Sequence, residues 1–127
     1  MRARGFTLVE VLVGMLILTI VITTSLAVFV ERNRRLQQAS ETILAYQALS
    51  NESEYWRRKD FATLDAAPRT FNSDVTLLEP LKPYNAIIGV TTVSAGVKNV
   101  ILTIRWKGKH EASVIVARAD TGGSSLW

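Results

Sequence analysis

The chain has no cysteine, one histidine and only three prolines among its 127 residues. Without cysteine it has no disulfide bonds, zinc–thiolate sites or cysteine nucleophiles. A single histidine, His110, provides neither a Ser-His-Asp triad nor a metal cluster, and no glycine-rich phosphate loop occurs. We therefore predict a protein that is not an enzyme and has no cofactor, no metal site and no small-molecule substrate.

Charge is missing from one long segment. Residues 11–30 form a run of 20 without Asp, Glu, Lys or Arg. At 1.5 Å per residue such a helix is about 30 Å long, which is the thickness of a bilayer core. The hydroxyls of Thr19, Thr23 and Thr24 interrupt the run but can bond to helix carbonyls. We predict one membrane-capable helix over residues 6–30.

The helix is predicted to continue to about residue 59, because no glycine or proline occurs in residues 15–67. Apolar residues in this second half recur at spacings of three and four: Leu36, Ala39, Ile43 and Tyr46. This amphipathic pattern predicts that they form the face that packs on a domain. Residues 60–83 contain all three prolines, and we predict a loop there with one short strand at 75–78.

The period then changes to that of strands. We predict three strands at about 86–93, 97–107 and 112–119, with a turn at 107–110 and a mobile tail at 120–127. In the second strand one face is apolar: Val100, Leu102, Ile104 and Trp106. An antiparallel sheet of this kind needs a cover on its apolar face. The predicted fold class is α+β, a long N-terminal helix with a transmembrane half and an amphipathic half, packed on a small antiparallel sheet.

The start of the chain carries an acidic residue at an unusual place. The sequence there is Gly5-Phe6-Thr7-Leu8-Val9-Glu10. At mid-bilayer a carboxylate costs about 2.5–3.5 kcal/mol, and less near a helix end, so Glu10 should have a function and a partner. Cleavage after Gly5 would give Phe6 a free amine. Pairing of that amine with Glu10, in the same subunit or a neighbour, would favour one register between packed helices.

This run, followed by about 20 apolar residues, resembles the class III (prepilin) signal of type IV pilins and type II secretion pseudopilins. The resemblance implies a leader peptide at residues 1–5, cleavage after Gly5 by a prepilin peptidase and N-methylation of Phe6. It also implies that Glu10 serves methylation and assembly, and that residues 31–127 form a globular pilin head. The expected partners are the peptidase, other pilins or pseudopilins contacted through the N-terminal helix, and the inner membrane. The expected location is the bacterial inner membrane, with the head outside the cytoplasm, and then the filament.

Within that family, the start Glu10-Val11-Leu12-Val13 and the late strands resemble the minor pilin V and pseudopilin I branch. The chain lacks a helix-kinking proline near Ala27 and a C-terminal disulfide loop, and both absences favour a minor subunit over a major one. We predict a minor pilin of a type IV pilus-class filament, in a tip or initiation complex. The alternatives are a minor pseudopilin of type II secretion and a competence-type minor pilin that binds DNA.

Other interpretations compete with each of these. Residues 1–27 could be a secretory signal cut after Ala27, or the chain could be a signal-anchored membrane protein, but neither explains Glu10. Arg57, Arg58 and Lys59 could contact nucleic acid or another ligand, although a solvated helix end suited to the dipole is the interpretation we favour. For the remaining polar candidates we predict solvated side chains: Glu52, Glu54, Asp60, Asp65 and His110.

Overall fold

A computed structural model describes residues 5–65, 70–72 and 75–122, without the side chain of Val75. The chain divides into two compact units, Met1–Ala39 and Ser40–Trp127, which we call the N-terminal and C-terminal units. One helix, α1 (Leu8–Arg58), contributes to both. The helix packs on a three-stranded antiparallel sheet in the C-terminal unit, which confirms the predicted α+β fold class and the predicted helix to within about two residues.

The N-terminal unit contains the apolar part of α1. Its threonines bond back to the helix as predicted: the hydroxyls of Thr19 and Thr23 donate to the carbonyls of Met15 and Thr19, both at 2.8 Å. These bonds satisfy the hydroxyls without a partner outside the helix. The apolar side chains are exposed from Leu8 onward, with Leu8 at 84%. The segment therefore has no cover from its own described residues.

The face by which α1 packs on the sheet differs from the predicted one. Leu36, Ile43 and Tyr46 are 59%, 57% and 51% exposed, and Ala39 is exposed too. The buried face is formed by small and polar residues together with two large ones: Glu41, Ala45, Ala48, Leu49, Glu52, Ser53 and Trp56. The prediction was wrong because it followed only the larger apolar residues, whereas alanines let a helix approach a sheet closely.

The sheet consists of β1 (Tyr84–Ser94), β2 (Val97–Trp106) and β3 (His110–Ala119) in the order β1-β2-β3. Strand β2 is central and pairs antiparallel with both neighbours. Its inward residues are buried as predicted: Val100, Leu102, Ile104 and Trp106. The turn into β3 contains Lys107 and Gly108 with φ angles of 50° and 68°, a backbone conformation that glycine adopts without strain.

The segment between helix and sheet completes the core. The strand predicted at 75–78 is absent; the chain forms a 3₁₀ helix there, Val75–Leu81. Leu78 and Leu81 are both fully buried. Residues three apart lie on one face of a 3₁₀ helix but on opposite faces of a strand, so the helix is the conformation that buries both. A shorter 3₁₀ turn, Phe61–Thr63, follows α1.

Two charged contacts tie this segment to the rest of the C-terminal unit. Glu52 is completely buried, contrary to the prediction of a solvated charge, and accepts bonds from the Trp56 indole at 2.8 Å and the Asn72 amide at 3.0 Å. Asp65 accepts a hydrogen bond from the Lys98 ammonium.

The predicted mobile tail lies partly outside the described residues; within them, the Asp120 amide donates to the Gly96 carbonyl at 2.7 Å.

Candidate functional site

The first candidate site is the start of α1. Gly5 and Phe6 precede the helix, and Phe6 is 82% exposed. An exposed segment outside regular secondary structure is a backbone that a peptidase can bind. The geometry is thus compatible with cleavage after Gly5, while the roles of Gly5 and Phe6 remain predictions from the motif.

Thr7 caps the helix. The backbone amide of Glu10 donates to the Thr7 hydroxyl at 3.2 Å, and the amide of Val11 donates to the Thr7 carbonyl at 3.2 Å. A threonine followed three residues later by a glutamate is the sequence signature of a capping box. We missed this signal in the sequence, although Thr7-Leu8-Val9-Glu10 displays it. The cap fixes the start of α1 at Leu8, two residues after Phe6, which is the predicted amino terminus of the processed chain.

Glu10 lies in the first turn of α1 and is exposed. A carboxylate at this position interacts favourably with the positive end of the helix dipole, by about 0.3–1 kcal/mol at an exposed site. This local role accounts for an acidic residue in the first turn of any helix. It does not account for a carboxylate directly before 20 charge-free residues, so the assembly role of Glu10 remains the more specific hypothesis.

Within the described residues, α1 is the one helix long and apolar enough to cross a membrane. Its exposed apolar residues run from Leu8 to Val30 on all sides of the helix. A helix that is apolar all round needs lipid or other apolar helices around it. The same surface can therefore serve a membrane anchor before assembly and helix packing after it.

The second candidate site, Arg57, Arg58 and Lys59, is divided among separate contacts. Arg57 pairs with Glu54 at 3.2 Å, and the Lys59 ammonium lies 5.0 Å from the centre of the Tyr55 ring. Arg58 and Lys59 line an open surface depression that Glu54 also lines. The three cations do not converge on one surface free of negative charge.

The carbonyls of this helix end have a partner from the sheet. The Arg118 guanidinium donates to the carbonyls of Arg57 and Lys59, the second at 2.7 Å. A cation at the C-terminus of a helix satisfies carbonyls that lack helical donors and interacts favourably with the dipole. No local pattern in the sequence indicates this contact, because Arg118 lies 61 and 59 residues from the two carbonyls in the chain.

A second buried carboxylate, that of Glu41, lies at the end of the sheet where β2 turns into β3. Glu41 is 7% exposed and accepts a hydrogen bond from the Lys107 ammonium. That bond holds the pKa of Glu41 below its ordinary value.

His110 is half-buried and stacks on Trp106 with ring centres 5.4 Å apart, so it is not simply solvated as predicted. No group of three or more acidic or histidine side chains within the described ranges is placed to hold a metal ion.

The comparisons with known proteins agree with the start of the chain. Residues 1–26 match the family model of the prokaryotic N-terminal methylation motif. No curated protein and no solved structure matches the chain. The match covers the residues that carry the resemblance to a prepilin signal. It does not test the predicted minor pilin V and pseudopilin I branch.

The motif and the fold together describe a chain with a class III N-methylation motif at residues 1–26 and a pilin-like fold, in which a long helix packs on a three-stranded antiparallel sheet. Such chains are structural subunits and not enzymes. The class III signal implies processing by a prepilin peptidase and assembly with other pilins. The apolar N-terminal helix is consistent with anchoring in the inner membrane before filament assembly.

Proposed function

We propose that this chain is a minor subunit of a type IV pilus-class filament, acting in a tip or initiation complex. One observation carries the proposal: a capped helix with Glu10 in its first turn continues directly into exposed, charge-free residues. A minor pseudopilin of a type II secretion system is the alternative with the same chemistry. The lack of cysteine, which removes a C-terminal disulfide loop, supports a minor subunit in either case.

The mechanism follows from the first turn. Cleavage after Gly5 creates an amine on Phe6 that is largely protonated at neutral pH. Phe6 lies two residues before the start of α1 and Glu10 lies in its first turn, so this amine can meet Glu10 of its own chain or of a neighbour. Inside a bundle of apolar helices an unpaired charge is costly, and one axial offset between subunits pairs both charges. Glu10 thereby sets register, while residues 6–30 supply cohesion.

The test is the intact mass and N-terminal sequence of the protein purified from its own membrane. We expect a chain that starts at Phe6 and carries one additional methyl group. A Gly5→Val variant should remain uncut, and a Gly14→Val variant, which carries the same substitution nine residues after the cleavage site, should be cut normally. A wild-type chain that starts at Met1, or one cut after Ala27, would overturn the proposal.

DNA binding by a competence-type subunit is a separate prediction, and the contacts of Arg57 and Lys59 with Glu54 and Tyr55 do not favour it. Its test is the affinity for double-stranded DNA as a function of salt. Binding through these cations would weaken steeply with salt and would fall on changing all three of Arg57, Arg58 and Lys59 to glutamine. No binding at low salt would exclude this function.

A further inference from the structure

The sheet has a second face that the helix does not cover. The outer sheet face is formed by the odd-numbered positions of residues 85–91, 97–105 and 111–119, whose neighbours in sequence point toward the core. Ile115 is 61% exposed and Ile87 is 41% exposed. Gly89, Ile101 and Ile115 lie side by side across the three strands. Apolar side chains therefore form the middle of this face.

Charge is almost absent from the outer sheet face. Its only charged positions are Arg105 and Glu111, which lie at one end and pair with each other at 2.6 Å. The solvated face of an antiparallel sheet ordinarily alternates polar and charged residues with the core. Depletion of charge with exposed apolar residues at the centre is instead the composition of an interface core.

The composition also limits what can bind there. Lipid surfaces attract faces that carry free lysine or arginine together with tryptophan, and nucleic acids attract free cations and aromatic rings. The outer sheet face has one arginine, already paired, and no aromatic residue among its positions. A surface of isoleucine, valine, alanine, glycine, threonine, serine and asparagine, with its one ion pair at one end, fits an apolar protein surface.

The size of the face indicates the kind of protein partner. Three strands about 4.8 Å apart and ten residues long give a face of roughly 500 Å². A stable complex between free proteins buries about 800 Å² on each partner. The face is too small to hold a free partner firmly, but it suffices where another attachment keeps both partners at high local concentration. Filament subunits held together by their helices meet that condition.

The neighbour should contact this face with a different surface of its own. Two copies that met through the same face would form a closed pair, whereas a filament grows through contacts between unlike surfaces. Because a minor subunit has other pilins as its neighbours, we infer from these observations that the outer sheet face, centred on Ile101 and Ile115, docks a different pilin-class chain next to this subunit in the filament. This inference rests on the proposed function and names the surface by which the C-terminal unit contacts its neighbour.

The absence of cysteine makes a direct test possible. The full-length chain carrying Ile115→Cys is expressed in its own cells and treated with a short bifunctional maleimide, and the partner in each adduct is identified by mass spectrometry. Ile43→Cys is the matched control, because Ile43 is 57% exposed but lies on α1 in the same unit. The maleimide reacts only with partners that have an accessible cysteine of their own. A photoreactive amino acid placed at position 115 or 43 does not need one and provides a second probe.

We expect position 115, and not position 43, to give adducts with a different pilin-class chain. A second variant, Ile115→Glu, should lower the amount of the chain in sheared filaments at least about tenfold, because a buried unpaired carboxylate is strongly unfavourable. Ile43→Glu should assemble at the wild-type level. All variants should start at Phe6 after processing, which separates failure of this inference from failure of the proposed function.

Three results would overturn the inference. The first is adducts at position 43 without adducts at position 115. The second is an adduct that joins position 115 of two copies, since the face would then be self-complementary. The third is normal filament incorporation of Ile115→Glu. An unprocessed chain starting at Met1 would instead contradict the proposed function on which the inference rests.

Discussion

Glu52 is a carboxylate held inside the C-terminal unit by donors from two elements. Trp56 donates its indole N–H from one turn further along α1, and Asn72 donates its backbone amide from the following segment. A buried carboxylate is tolerated where such donors satisfy its oxygens. The residue therefore attaches the segment after the helix to the helix itself.

We expect Glu52→Ala to lower the free energy of unfolding by about 1.5–3 kcal/mol, because the buried Trp56 indole and the Asn72 backbone amide both lose a charged acceptor. Denaturant unfolding of the full-length chain in detergent, followed by tryptophan fluorescence, measures this change. Glu54→Ala is the matched control. Glu54 is exposed and pairs with Arg57 at the surface, so its loss should change stability by about 0.5 kcal/mol or less. Equal effects of the two variants would contradict the structural role of Glu52.

Glu41 makes stability depend on pH. The Lys107 side chain holds the pKa of Glu41 below its ordinary value of 4.5, and His110 contributes in the same direction. A carboxyl whose pKa is lower in the folded state stabilises the fold above its unfolded pKa, and this stabilisation is lost as pH falls through the folded pKa. We expect the loss to begin below about pH 5.

Glu41→Gln should therefore be less stable than the wild type at pH 7, and the difference should shrink toward pH 3. Urea unfolding of both chains at a series of pH values measures it. Glu31→Gln, at an exposed residue paired with Arg35 in the N-terminal unit, should follow the wild type closely. A difference between wild type and Glu41→Gln that stays constant with pH would show that the ion pair does not stabilise the fold.

At the scale of elements, the end of α1 depends on a residue of β3. The two carbonyls that accept from Arg118 are among those that a helix end leaves without helical donors. Arginine presents several N–H groups in a fixed plane and can reach two carbonyls together, whereas lysine cannot reproduce this fork.

We expect Arg118→Ala to destabilise the fold by about 1–2 kcal/mol and to speed hydrogen exchange in the last turn of α1. Arg118→Lys should recover only part of the loss. Arg105→Ala is the control on the same sheet, since Arg105 is 59% exposed in its pair with Glu111 and should matter by less than about 1 kcal/mol. Unchanged exchange at residues 55–58 in Arg118→Ala would refute the capping role.

At the scale of the molecule, Glu10 distinguishes a membrane anchor from an assembling subunit. A helix that only anchors the chain loses nothing when a carboxylate in its first turn is replaced, apart from a small dipole term. In a subunit whose axial register depends on Glu10, the same replacement removes the ion pair that favours one axial offset between neighbouring helices.

Glu10→Gln should therefore insert in the membrane and be cut after Gly5, while its amount in sheared filaments falls at least about tenfold. Quantitative immunoblots of membrane and filament fractions measure both. Glu31→Gln, an acidic residue later in the same helix, should assemble normally. Normal assembly of Glu10→Gln would leave the interaction with the helix dipole as the sole role of this carboxylate.

Much of the architecture was predictable because its signals are local. The absence of helix breakers predicted α1 to within about two residues, and the alternation in β2 predicted which of its side chains are buried. The motif at residues 5–10 likewise depends only on neighbouring positions, and the family model matches residues 1–26. The capping role of Thr7 was visible in the same six residues but was not recognised.

Other features depend on residues that are distant in sequence. The sequence predicted that the apolar stripe with Leu36 and Ile43 packs on the sheet, whereas the buried face of α1 contains Ala45 and Ala48. Only the tertiary structure decided this, because the face that packs depends on the fit between helix and sheet and not on hydrophobicity alone. Its packing also decided that Glu52 is buried and that residues 75–81 form a 3₁₀ helix.

The sequence by itself determined three features: a class III signal at the start of the chain, a charge-free helix long enough to cross a membrane, and strands of alternating pattern. Each of these features depends on residues that are close together in the sequence, because such residues determine the local backbone conformation and form the signal at the N-terminus. The tertiary structure alone decided which helix face is covered, how Arg118 caps α1 and which sheet face is left bare, because each of these results from contacts between residues far apart in the chain.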